Sequence, residues 1–178
     1  MEEGMSENST ELTHFLALIL DRIGIKDFKK IREDINIRKK IQKAIYILKL
    51  PKFDFDLGHG YNLYIAGPYS PDLSTDYYSI ADKAEHYHEY VQKTHFISEI
   101  ESKLDEFNKT FDDDYLLLES TATIHFLYSK SFAYIPGEIE RKEKVVDFFI
   151  QIKPEYENKK DLIEKAFILM GKFSSLES

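Results

Sequence analysis

Apolar positions along this chain recur mostly at spacings of three and four, the period of a helix. Leu12, Phe15, Leu16, Ile19, Leu20 and Ile23 mark a first helix over 11–23. Thr10 can cap it, and Gly24 suits the left-handed residue that ends it. A short helix over 27–33 follows, with Asp27 as its cap. Asn36 can then cap a third helix over 37–50. Its inward stripe is Ile41, Ala44, Ile45 and Leu48, and its outward side carries Arg38, Lys39, Lys43 and Lys49. Pro51 stops it.

The period then changes to two. Phe53, Phe55 and Leu57 alternate with polar residues, and so do Tyr61, Leu63 and Ile65. Gly58-His59-Gly60 between them predicts a hairpin turn, which leaves His59 exposed. Gly67-Pro68 ends the second strand. Ser70 caps the next helix with Pro71 at its first position, and Leu73, Tyr77 and Ile80 face inward.

Helical spacing returns over 81–109, with a break near Lys93-Thr94. Asp112-Asp113-Asp114 opens the most apolar helix, 115–128, which is apolar on most sides and belongs at the centre of the core. Ile135-Pro136-Gly137 is a loop, and two amphipathic helices over 138–153 and 158–172 close the chain around Pro154. The pattern predicts a mainly α fold: one helical domain over 11–174 with a small β-hairpin, after a disordered lead over 1–10. Three helices and then a hairpin is the order of a winged helix, so the N-terminal half is expected to be winged-helix-like.

Composition narrows the classes. The 178 residues suffice for one sizeable core, and there is no Cys to form a disulfide, a thiolate zinc site or a nucleophile. No apolar run is long enough to span a membrane, and the polar start lacks a signal-peptide pattern. A cytoplasmic protein with no membrane partner is expected. The net charge of −8 opposes anionic partners on average. Yet residues 22–52 hold 11 Lys and Arg against 3 Asp and Glu, a basic segment on an acidic body.

Four motifs resemble a known family. Lys40-Ile41-Gln42-Lys43-Ala44-Ile45-Tyr46-Ile47-Leu48 is similar to a helix of YwgA-like uncharacterised prokaryotic proteins. Gly60-Tyr61-Asn62-Leu63-Tyr64-Ile65-Ala66-Gly67-Pro68-Tyr69-Ser70 resembles their aromatic segment ending in Gly-Pro-Tyr-Ser, although Ala66 stands where an aromatic is more usual. Leu118-Glu119-Ser120-Thr121-Ala122-Thr123-Ile124-His125-Phe126-Leu127 resembles their later helix, with Ser120-Thr121 in place of an apolar pair, and Ile152-Lys153-Pro154 their final turn. The first two motifs are more loosely similar to the antitoxin domain called Panacea. The resemblance implies a fold and no known enzyme activity.

Few residues suggest chemistry. Glu119 and His125 are six apart and point to different sides of their helix, so rather than a functional polar pair each is expected as a satisfied core group or on a partly exposed stripe with Thr121 or Thr123. Glu85-His86-Tyr87-His88-Glu89 invites a metal reading, but its two His lie on different faces, and a solvated helix explains it. No phosphate loop, nucleophile elbow, metal motif or cofactor motif is present. The expected function is a non-enzymatic protein-interaction or regulatory module of antitoxin-like type. Its expected contact residues are Tyr64, Tyr69, Tyr77 and Tyr78. The same aromatic surface also fits a homodimer. The alternative is a winged-helix DNA-binding regulator using Arg38, Lys39, Lys43 and Lys52 on phosphates.

Overall fold

A computed structural model describes residues 3–65 and 67–174. Three helices come first: α1 (Glu3–Arg22), the single turn α2 (Lys30–Glu33) and α3 (Ile35–Leu48). A two-stranded antiparallel hairpin follows, β1 (Asn62–Tyr64) and β2 (Gly67–Tyr69). Then come α4 (Pro71–Asp82), α5 (Ala84–Lys93), α6 (Ser98–Phe111) and α7 (Tyr115–Phe126). A π-helical turn over Leu127–Ser131 extends α7. The chain ends with α8 (Glu138–Ile152), a 3-10 turn at Pro154–Tyr156 and α9 (Lys160–Ser174). The mainly helical class with one small hairpin therefore stands.

Several local expectations need correction. Residues 3–10, expected as a disordered lead, form the first turns of α1; residues 1–2 and Ala66 lie outside the described residues. Asp34, not Asn36, caps α3: its side chain accepts from the Asn36 backbone N–H at 2.7 Å. The hairpin forms one segment later than its alternation predicts. Residues 53–60 are not a strand, and the two paired strands both follow Gly58-His59-Gly60 rather than flanking it. The alternation at Phe53, Phe55 and Leu57 is real, and all three are buried. An irregular segment can bury alternate residues as well as a strand does. Here Phe53 and Asp54 donate to the Leu50 carbonyl and Phe55 to that of Leu48, so this stretch completes the end of α3.

Other signals hold. Gly24 has φ +93° after α1. The Ser70 hydroxyl accepts from Leu73 N at 3.2 Å, with Pro71 opening α4. Asp114 caps α7, accepting from Leu117 N at 3.0 Å. The helical break expected near Lys93-Thr94 separates α5 from α6.

α7 is the organising element. Every residue from Leu117 to Phe126 is buried, and the helix packs on α3, α8, α9 and β2. One apolar cluster joins α1, α3, α4, α5, α6 and one side of α7; the second joins Ile124 and Leu127 to Val145, Phe149, Tyr156, Ile163 and Ala166. Leu63 on β1 packs against both. The hairpin thus lies over the seam between the clusters.

Candidate functional site

The hairpin is held at its base by polar side chains of α3. Gln42 makes a reciprocal pair with Ser70: Ser70 N donates to Oε1 at 2.8 Å, and Nε2 donates to the Ser70 carbonyl at 2.9 Å. Nε2 also donates to Ser74 Oγ at 3.0 Å, tying in α4. Beside it, Lys43 Nζ donates to the Pro68 carbonyl at 3.0 Å. Gly67 sits at φ +95°, and a Cβ there would collide with Thr123 Oγ1 on α7 and lie 3.2 Å from Lys43 Cε. Only glycine lets the strand approach α7 so closely while adopting this backbone conformation.

From this base a row of tyrosines runs outward. The Tyr77 and Tyr78 rings are 4.9 Å apart, and the Arg32 guanidinium lies 4.5 Å over Tyr78. Ser74 Oγ links the row, 3.0 Å from the Tyr77 hydroxyl and 2.8 Å from that of Tyr69. Tyr69 meets Tyr64 with ring centroids 5.5 Å apart. The four expected contact residues are therefore contiguous but not equivalent. Tyr77 is 2% exposed and belongs to the core, as its place on the inward face of α4 predicted. That burial corrects its expected contact role. Tyr69 and Tyr78 are half-buried, while Tyr64 is 65% exposed and the adjacent Ile65 81%.

The basic residues of the alternative reading do not form one face. Lys43 is only 2% exposed and cannot meet a phosphate, which corrects its expected outward position. Arg38 donates to the carbonyls of Ile31 and Arg32 at 2.9 and 2.8 Å, closing the end of α2. Lys52 lies 3.6 Å from the Glu106 carboxylate on α6. Lys39 is half-exposed.

Behind the hairpin lies a polar core that periodicity could not reveal. Glu119 Oε1 is 2.9 Å from Lys153 Nζ, with both residues buried. Tyr156 donates to Oε2 at 2.8 Å and Tyr115 to Oε1 at 3.0 Å. Burial works against the Glu119 charge, but Lys153 and the two hydroxyls outweigh it and hold the carboxyl below its usual range. Burial lowers the Lys43 ammonium to about 8, opposed by attraction to Glu119 and assisted by repulsion from Lys153 and Lys39. His125 Nδ1 is 2.7 Å from the Tyr46 hydroxyl, and burial lowers this imidazole to about 4. It is therefore neutral near pH 7 and shares one hydrogen bond with Tyr46. Glu119 and His125 are satisfied core groups with separate partners, as their six-residue spacing suggested.

His59 departs from expectation: it is 5% exposed, and Nε2 is 2.7 Å from Asp76 Oδ2. This contact joins the segment before the hairpin to α4. In the 85–89 cluster, Glu85 pairs with Lys29 at 3.0 Å, and His88 Nε2 accepts from Phe28 N at 3.4 Å. Among the described residues, no group of three His, Cys, Asp or Glu side chains converges as a metal site. A cavity of about 260 Å³ beside Asp112, Asp113 and Asp114 also has Arg22 and Lys40 in its wall, and Lys40 pairs with Asp113 at 2.8 Å. Among the described residues, no helix is long and apolar enough to cross a membrane.

The fold and this face define a mainly helical domain that presents a braced aromatic hairpin. No family model matches the chain, and neither a curated protein nor a solved structure shows a significant match.

Proposed function

We propose that the protein is a non-enzymatic regulatory module that acts by binding another protein, in the manner of an antitoxin, with the hairpin tip as its anchor. The exposure of Tyr64 and Ile65, at 65% and 81%, on a hairpin braced by buried polar bonds supports this reading. An aromatic and a branched apolar residue on a braced turn lose little conformational freedom on docking, which favours binding. The net charge of −8 adds a second requirement. The partner fits best if an apolar slot takes the tip and a basic rim meets the acidic body. The DNA-binding reading is not carried further, because Lys43 is buried and Arg38 is engaged with backbone carbonyls.

The test is a tagged pull-down from native lysate with nuclease, comparing wild type with Tyr64→Ala/Ile65→Ser. A stoichiometric protein that survives nuclease and is lost from the double variant is the expected outcome. Its full retention by the variant overturns the reading. So does recovery of nucleic acid alone, or of a second copy of this chain alone.

A further inference from the structure

The two edges of the hairpin differ. β2 turns its outer edge to α3, whose side chains occupy its backbone. Lys43 Nζ donates to the Pro68 carbonyl at 3.0 Å. Ser70 N donates to Gln42 Oε1 at 2.8 Å, and Gln42 Nε2 donates to the Ser70 carbonyl at 2.9 Å. In an antiparallel pair, successive residues turn their N–H and C=O alternately toward and away from the other strand. Pro68 has no N–H and its carbonyl is on Lys43, so its backbone faces away from β1, as does that of Ser70 two residues on. The register pairs Pro68 with Leu63. Leu63 therefore turns its own N–H and C=O away from β2, onto the outer edge of β1.

That edge is open. Among the described residues, no hydrogen bond reaches the Leu63 backbone groups on this side. Asn62, Tyr64 and Ile65 are exposed, while the Leu63 side chain packs inward over the seam. Proteins commonly shield such an edge with a lysine, a proline or a covering element. Tyr61-Asn62-Leu63-Tyr64-Ile65 has no charge and no proline, and four of its five residues are aromatic or aliphatic. An unshielded edge on a hairpin held firmly from its other side is a template for one more strand.

We propose that the outer edge of β1 is a strand-addition site for an extended segment of the partner protein, with the Leu63 N–H and C=O as its central backbone contacts. This rests on the reading of the hairpin as the partner-binding element and names how the partner is held. The added residue opposite Leu63 shares its side of the sheet, so an apolar side chain there lies toward the seam. The residues flanking it stand beside Asn62 and Tyr64, where a β-branched or aromatic side chain packs on the Tyr64 ring. Lysine or arginine at the ends of the segment suits the net charge of −8. The same charge repels a second copy of this chain, which favours a different protein over self-pairing.

The experiment selects a phage-displayed library of random peptides on the full chain and measures the best binder by calorimetry. The selected peptides should alternate apolar and polar residues. N-methylation at every second peptide residue should weaken binding about tenfold or more, and methylation of the intervening residues much less, because only alternate N–H groups point at β1. The Leu63 amide should exchange fast in the free protein and slow down with the peptide bound. Leu63→Pro removes that N–H and should weaken binding to a similar extent, with circular dichroism as the check on folding. The N-methyl series uses wild-type protein, so it decides the matter even where Leu63→Pro unfolds. No enriched peptide, an N-methyl series without alternation, or a Leu63 amide already protected in the free protein overturns strand addition. Concentration-dependent dimers that Leu63→Pro abolishes overturn it too, by giving the edge to a second copy. A lysate protein lost from Tyr64→Ala/Ile65→Ser but retained by folded Leu63→Pro overturns strand addition alone and leaves the hairpin as the anchor.

Discussion

Lys43 shows how one residue can be misread from its type and still set the architecture. A lysine on a basic helix belongs in water by every compositional rule. Here it is buried, with its ammonium on the Pro68 carbonyl and its lowered titration near pH 8. Its usual value is 10.5, so between those limits the folded state binds fewer protons than the unfolded chain. Stability contributed by this residue must therefore rise with pH across that window. Between pH 7 and 9.5 the gain is about 2 kcal/mol. Urea unfolding of wild type and Lys43→Met at both pH values should show wild type gaining that much relative to the variant. Parallel pH dependence in the two proteins would mean that Lys43 is not desolvated in the fold.

At the scale of elements, the buried pair of Glu119 and Lys153 joins the central helix to the turn after α8. Removing one partner strands the other charge in the core, at a cost of about 3–5 kcal/mol. Lys153→Met should therefore destabilise strongly, even with Tyr156 and Tyr115 still donating to Glu119. The double variant Glu119→Leu/Lys153→Met removes both charges and should be less destabilised than Lys153→Met alone. Additive losses in denaturant titrations would contradict the pairing. Most helices were legible because their apolar stripes and caps are local: Ser70-Pro71, Asp114 and Gly24 mark their ends in the sequence as in the structure. The hairpin was legible as an element but not in position. Alternation at 53–57 reports burial on one side, and Gly58 and Gly60 mimic a hairpin turn. The true strands are only three residues each and are placed by Gln42 and Lys43, residues of another element. Such partners are settled by tertiary packing, which no local pattern encodes. The same reason hid His59 against Asp76 and left Tyr77 counted both as core and as surface.

For the whole molecule, these contacts converge on one arrangement. A buried central helix carries two apolar clusters, and the hairpin covers the seam between them. Its base is fixed by Gln42, Lys43 and the close approach of Gly67 to Thr123. Its tip projects Tyr64 and Ile65 into solvent. That division, a rigid base with an apolar tip, underlies the proposed interaction. The most direct test replaces Ile65 with a photoreactive benzoylphenylalanine and irradiates the protein in native lysate. Ile168 on α9, itself 71% exposed, serves as the control position. If the tip is the anchor, position 65 gives one discrete crosslinked protein and position 168 gives none. No adduct from position 65, or the same adducts from both positions, would contradict it.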